Sequence, residues 1–159
     1  MRLTFVRHAR AGSKRGWEAD DELRPLDELG FVHAAALAPR LAGAGPVRRL
    51  VSSPVLRCVQ TLQPLADIVG LPIERWDALG PHADAAGVRS TLGHPAFDDV
   101  VVCTHGEVLR PLLRTLRRRG VSRDGAHLHG RRLLAKGLAW RLTLAPDGTV
   151  TSFEHISPH

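Results

Sequence analysis

Residues 98–120 read DDVVVCTHGEVLRPLLRTLRRRG. Residues 98–104, DDVVVCT, read as one strand, in which Val100, Val101, Val102 and Cys103 make an apolar run with no polar alternation. Such a run, rich in β-branched residues, is a strand buried on both faces, as in a parallel sheet. Thr104-His105-Gly106 ends it, and a helix follows from about Glu107 to Arg119, closed by Gly120. The dense cations of Arg114 to Gly120 suit the solvated C-terminal end of that helix.

The same alternation runs upstream. Residues 2–7 read as a strand, and residues 28–43 as a helix with Asp27 as N-cap and a kink at Pro39. Residues 47–52 form the next strand. Ser53-Pro54 reads as N-cap and first helical position of a helix to about Val69, stopped by Gly70. Within it Val55, Val59, Leu62 and Leu65 recur at helical spacing and belong to the core. Residues 71–75 give a short third strand. Downstream, residues 136–145 and 149–155 read as a hairpin around Pro146-Asp147-Gly148. Strands alternating with helices imply an α/β sandwich on a largely parallel sheet, with the hairpin as an antiparallel edge. No repeat or low-complexity linker interrupts it, and 159 residues suit a single domain over 1–159.

Composition narrows the class of function. A hydrophobic content of 43% excludes a disordered chain. No apolar stretch is long enough to cross a bilayer, and MRLTFVRHAR lacks the pattern of a signal peptide, so a soluble cytoplasmic protein is expected. Cys58 and Cys103 are too few for a disulfide scaffold and read as reduced core residues. The 22 Lys and Arg against 16 Asp and Glu are spread along the chain. Without Tyr, and with 4% aromatic residues, no stacking platform for nucleic acid is visible, and attraction of an anionic substrate accounts for the charge.

In open α/β sheets ligands gather beyond the carboxyl ends of the strands. Three strands here end in polar groups: Arg7-His8, Ser52-Ser53-Pro54 leading to Arg57, and Thr104-His105-Gly106. A parallel sheet brings all three to one rim. A phosphoryl group needs cations on its oxygens and a nucleophile in line with the leaving group. Arg7 and Arg57 each offer a forked guanidinium, and His105 a further N–H donor. Gly106 allows close backbone approach at a helix N-terminus. His8 can attack phosphorus through one ring nitrogen if a backbone carbonyl holds the other. Lys14 and Arg10 in the first loop can meet further phosphates.

The segments VRHARAG, DELRPLDELGFVHAAAL, LVSSPVLRCVQTLQPLA and VVVCTHGEVLR, in this order, resemble the successive signatures of the histidine phosphatase, or phosphoglycerate-mutase-like, superfamily. The resemblance runs from about Arg2 to Leu113. It implies a three-layer α/β/α sandwich in which His8 is phosphorylated and Arg7, Arg57 and His105 complete the site. The short chain resembles the small SixA-type phosphohistidine phosphatases. It resembles more strongly the phosphatase domain fused behind a Nudix domain in MutT-like hydrolases, although no Nudix box occurs here. Ala9 stands where the family usually has Gly. No general acid sits in a clear motif; Glu107, Asp77 and Asp21 are the leading candidates, with Asp20, His82 and Asp84 beside them. The cap between the third and fourth strands is minimal, roughly residues 77–97.

A missing acid favours leaving groups that depart unaided. The expected activity is therefore hydrolysis of a phosphoryl group from a protein phosphohistidine or a nucleoside di- or triphosphate. The expected partner is a phosphorylated small molecule or phosphoprotein, with no nucleic acid and no membrane. The chemistry requires no metal and no other cofactor. The alternative is a phosphate- or nucleotide-binding regulatory module with weak catalysis. His127-Leu128-His129-Gly130 offers two His without a third metal ligand and reads as loop. A cysteine phosphatase is excluded, because six residues separate Cys103 from Arg110 where that chemistry needs five.

Overall fold

A computed structural model of the chain describes residues 1–84, 86, 88, 94–118, 122–124 and 134–159. Strands β1 (Arg2–Arg7), β2 (Arg49–Ser52), β3 (Ile73–Arg75), β4 (Val100–Thr104), β5 (Ser122–Asp124), β6 (Ala139–Leu144) and β7 (Val150–Ile156) form one sheet. Its order is β3-β2-β4-β1-β6-β7-β5. The pairs β2/β3, β2/β4, β1/β4 and β5/β7 are parallel; β6 runs antiparallel to both neighbours. The expected hairpin is therefore present, packed directly against β1, and the short β5 continues the sheet beyond it. Residues 136–138 precede the hairpin as a turn, because Gly137 takes a left-handed φ of 77° that a strand does not accommodate.

The helices are α1 (Glu28–Gly43), α2 (Leu56–Val69) and α3 (Gly106–Arg118). Alternation along the central strands splits the apolar residues into two cores. Leu3, Phe5, Val100 and Val102 pack with Val108, Leu109, Leu112 and Leu113 of α3. Val6, Val101 and Cys103 pack with Leu37, Leu41, Leu62 and Leu65 of α1 and α2. The central strands β1, β2 and β4 thus bury both faces, and the result is a three-layer α/β/α sandwich. Val55, Val59, Leu62 and Leu65 are all buried, as their spacing predicts.

Two capping expectations have different outcomes. Asp27 caps α1, its carboxylate accepting from Gly30 N–H at 2.8 Å. Ser53 does not cap α2, which starts at Leu56 after Val55, without a side-chain cap. Its hydroxyl is drawn instead toward His105, 2.8 Å from Nε2. Asp98 and Asp99 lie just before β4 and not inside it. Asp98 accepts from Arg2 N–H at 2.9 Å, and Asp99 N–H donates to Arg2 carbonyl at 2.7 Å. The aspartates therefore set where β4 starts against β1.

Gly30 holds α1 against the first loop. A Cβ there would overlap the Arg10 carbonyl, which accepts from Asp27 N–H at 3.1 Å. Gly30→Ala must push the loop off the helix. The expected loss is about 1–3 kcal/mol, a fall in Tm of roughly 2–10 °C by thermal denaturation.

Candidate functional site

Strand register builds the site. Arg7 pairs with Thr104 across β1 and β4, so His8 and His105 emerge side by side. Ser52 pairs with Cys103 across β2 and β4, which brings Ser53 beside them. Two backbone bonds carry the arrangement one residue past the strands: His8 N–H to Thr104 carbonyl at 3.1 Å and Ser53 N–H to Cys103 carbonyl at 2.9 Å. The two imidazole rings lie edge to face with centroids 5.4 Å apart.

His8 is buried, and its Nδ1 sits 2.8 Å from the Ala9 carbonyl. A carbonyl only accepts, so Nδ1 carries the proton and Nε2 holds the lone pair. Burial lowers the His8 pKa to about 3, the Ala9 hydrogen bond opposes this, and His105, Arg57 and Arg7 add to the lowering. The ring is therefore neutral at physiological pH and surrounded by cationic groups. A neutral imidazole with an oriented lone pair is a nucleophile in waiting.

His105 is buried at the head of α3 with Nε2 against Ser53 Oγ and, at 3.6 Å, against Cys58 Sγ. That leaves Nδ1 as its remaining polar atom. Cys58 and Cys103 are free and buried. Their neighbourhood is not wholly apolar, since Cys58 also faces His105.

Arg57 is buried within α2 and donates through Nη1 to the Asp21 carbonyl at 2.8 Å and through Nη2 to the Asp21 carboxylate at 3.2 Å. Asp21 also accepts from Arg24 Nε at 2.9 Å, and Arg24 Nη1 donates to the Gly12 carbonyl. Burial would raise the Asp21 pKa, but the Arg24 hydrogen bond and the charges of Arg57, Arg24 and Lys14 outweigh it and hold it low. Asp21 is thus kept as a carboxylate that orients Arg57. Thr61 ties α2 to the loop after β1: Oγ1 accepts from Ala9 N–H at 2.9 Å and donates to the Arg57 carbonyl at 2.6 Å.

Arg7 Nη1 donates to the Leu134 carbonyl. Burial lowers the Arg7 pKa, Glu107 opposes this and Arg110 adds to it. Gly106 makes room for this side chain, because a Cβ there would sit 2.9 Å from Arg7 Cζ. The glycine thus serves the arginine's position as well as the helix start. Arg7 Nε and Arg57 Nε are buried with no hydrogen-bond partner among the described residues. Two orphaned guanidinium N–H donors near one imidazole lone pair are the features of an anion site.

The remaining candidates lie further out. Arg10 pairs with Asp27 at 2.7 Å, and Lys14 is exposed on the Asp21 side. Glu107 is exposed on the first turn of α3 within reach of the Arg7 charge. Asp77 follows β3 in a groove of about 310 Å³ with Glu22, Pro54, Val55 and His82. No group of three or more His, Cys, Asp or Glu able to hold a metal occurs among the described residues. His127 and His129 lie outside those residues. The sequence reading missed Arg24 and Thr61; the Asp21–Arg24 spacing was the available signal for the first.

A family model of the histidine phosphatase superfamily (branch 1) matches residues 3–80, which include Arg7, His8 and Arg57. The protein histidine phosphatase SixA, solved with tungstate, superposes with a TM-score of 0.77 at 26% identity over 99% of this chain and 97% of that one. The chain belongs to the histidine phosphatase superfamily. An 8-oxo-(d)GTP phosphatase from Mycolicibacterium smegmatis is 32% identical over 98% of this chain and 48% of that protein. The chain thus spans about half the length of that curated relative. A mycobacterial glucosyl-3-phosphoglycerate phosphatase, with a TM-score of 0.62 at 19% identity over 89% of this chain and 92% of that one, shares the fold. The names of the SixA and Mycolicibacterium relatives are both those of phosphatases. No helix among the described residues is long and apolar enough to cross a membrane.

Two measurements follow from this geometry. Gly106→Ala displaces Arg7, and kcat/KM should fall about a hundredfold with little change in Tm. His8 has a folded pKa of about 3 against an ordinary 6.5, so the unfolded chain takes up a proton that the folded chain refuses. Stability should fall as pH drops from 6.5 toward 3, and chemical denaturation of His8→Asn should show a flatter profile over that window.

Proposed function

We propose that this chain is a phosphohydrolase that works through a phosphohistidine on His8 Nε2, with a phosphoanhydride or phosphoramidate as substrate. The observation that carries this reading is the state of His8. It is neutral, tied through Nδ1 to the Ala9 carbonyl, and set among Arg7, Arg57 and His105. In the first step the Nε2 lone pair forms a bond to phosphorus, and the bond to the leaving group breaks with its electrons departing on that group. In the second step water attacks phosphorus, the P–N bond breaks, phosphate leaves and neutral His8 returns. The orphaned N–H groups of Arg7 and Arg57 would take the phosphoryl oxygens in both steps. SixA was solved in complex with tungstate, a tetrahedral oxyanion, which supports the reading of an oxyanion-binding protein.

The substrate class follows from the acids. Asp21 is committed to Arg24 and Arg57, Glu107 is exposed beside Arg7, and Asp77 lies in the outer groove. None is placed as a strong proton donor to a leaving alkoxide, so a nucleoside di- or triphosphate or a protein phosphohistidine fits better than a sugar or glycerate ester. The names of the Mycolicibacterium relative and of SixA match these two substrates.

The test is turnover of a nucleoside triphosphate, a nucleoside diphosphate, a phosphoramidate and phosphoglycerate by wild type and His8→Ala. Wild type should prefer the first three to phosphoglycerate. The variant should lose about a thousandfold or more, together with the acid-labile phosphate trapped on wild-type protein. Undiminished turnover in His8→Ala overturns the mechanism. Tight phosphate binding without turnover of any substrate by wild type overturns the activity in favour of a binding module.

A further inference from the structure

The turn before β6 adds a cation that the mechanism does not use. Its chain is fastened to the nucleophile's segment: Gly137 N–H donates to the carbonyls of Arg7 at 3.1 Å and His8 at 3.2 Å. The Leu134 carbonyl holds Arg7 Nη1 from the same turn. Gly137 is buried against Ala9 and His33, and Lys136 stands exposed immediately before it.

The electrostatics around Lys136 are unbalanced. Partial burial lowers its pKa, and Arg7, Arg24 and Arg10 lower it further, with Asp27 in partial opposition. Asp27 is already paired with Arg10, and Asp21 is shared by Arg24 and Arg57. Among the described residues no carboxylate lies within ion-pair distance of Lys136. The charges of Arg7, Arg10 and Arg24 thus bear on Lys136 with only Asp27 in partial opposition, and an anion at the rim relieves that repulsion. One phosphoryl group held by Arg7 and Arg57 leaves this outer charge unanswered.

We propose that Lys136, with Arg10 and Arg24, forms a second-phosphate subsite at the rim of the His8 site that selects substrates carrying a diphosphate. The proposal rests on the reading that a phosphoryl group is bound at His8. A terminal phosphoryl then occupies the Arg7–Arg57 position and the adjoining phosphate meets Lys136. Where that adjoining phosphate is the leaving group, the ammonium stabilises the negative charge that develops on it. A cation thereby does for an anhydride what a proton donor does for an alkoxide. Within the substrate classes above, a nucleoside di- or triphosphate is favoured over a phosphohistidine.

The test is calorimetric and needs no turnover. Inorganic phosphate, methylenediphosphonate and α,β-methylene adenosine diphosphate are titrated into wild type, Lys136→Gln and Lys136→Arg at fixed ionic strength. Wild type should bind the two diphosphate probes at least tenfold more tightly than phosphate. Lys136→Gln should close that gap about tenfold, and Lys136→Arg should restore most of it. Equal affinities for all three probes in wild type, or an undiminished gap in Lys136→Gln, overturns the subsite. Since the probes are not cleaved, an inactive wild type or an active His8→Ala defeats the phosphohistidine mechanism without altering this result.

Discussion

Everything at the site depends on the parallel pairing of β1 with β4 in one register. Arg7 opposite Thr104 puts two imidazoles next to each other at the ends of adjacent strands. A slip of one residue would turn His8 toward the wrong layer and mix the two cores, since Leu3 and Phe5 face α3 while Val6 faces α1 and α2. Asp98 and Asp99 guard that register from the opposite end through Arg2. The chain thus spends two aspartates far from the chemistry on the alignment of the chemistry.

The second constraint is charge. Arg7, Arg57 and two histidines share a small volume, and a buried charge without a partner is strongly destabilising. The structure answers in two ways. His8 stays neutral, which removes one charge. Asp21 holds Arg57 by both its carbonyl and its carboxylate, which leaves Nε of that guanidinium uncommitted. Stability and anion affinity are therefore served by different atoms of the same side chain.

The strand ends were legible in the sequence because each joins a β-branched or apolar run to a charged or imidazole residue, as in Phe5-Val6-Arg7-His8. Burial of β4 on both faces followed from its uninterrupted apolar run. What was not legible depends on distant partners. Ser53 before Pro54 has the local pattern of a helix cap, and His105, remote in sequence, claims its hydroxyl. Gly30 looks like an ordinary residue of a helical first turn, and only the Arg10 carbonyl lying against it makes a side chain intolerable. Lys136 sits in a stretch that reads as strand, and its position is fixed by hydrogen bonds from Gly137 back to Arg7 and His8. Cys58 and Cys103 read as core and are buried, but the nearness of one to His105 is tertiary.

The sheet order has a consequence for biosynthesis. Within this sheet β1 is made before both its neighbours, β4 and β6, which come from the later half of the chain. Until Leu144 has been made, β1 has at least one open edge. An emerging polypeptide holding only residues 3–80 carries His8 and Arg57 but no strand to lie beside His8. Such long-range closure slows folding and leaves a hydrophobic ribbon exposed to other nascent chains.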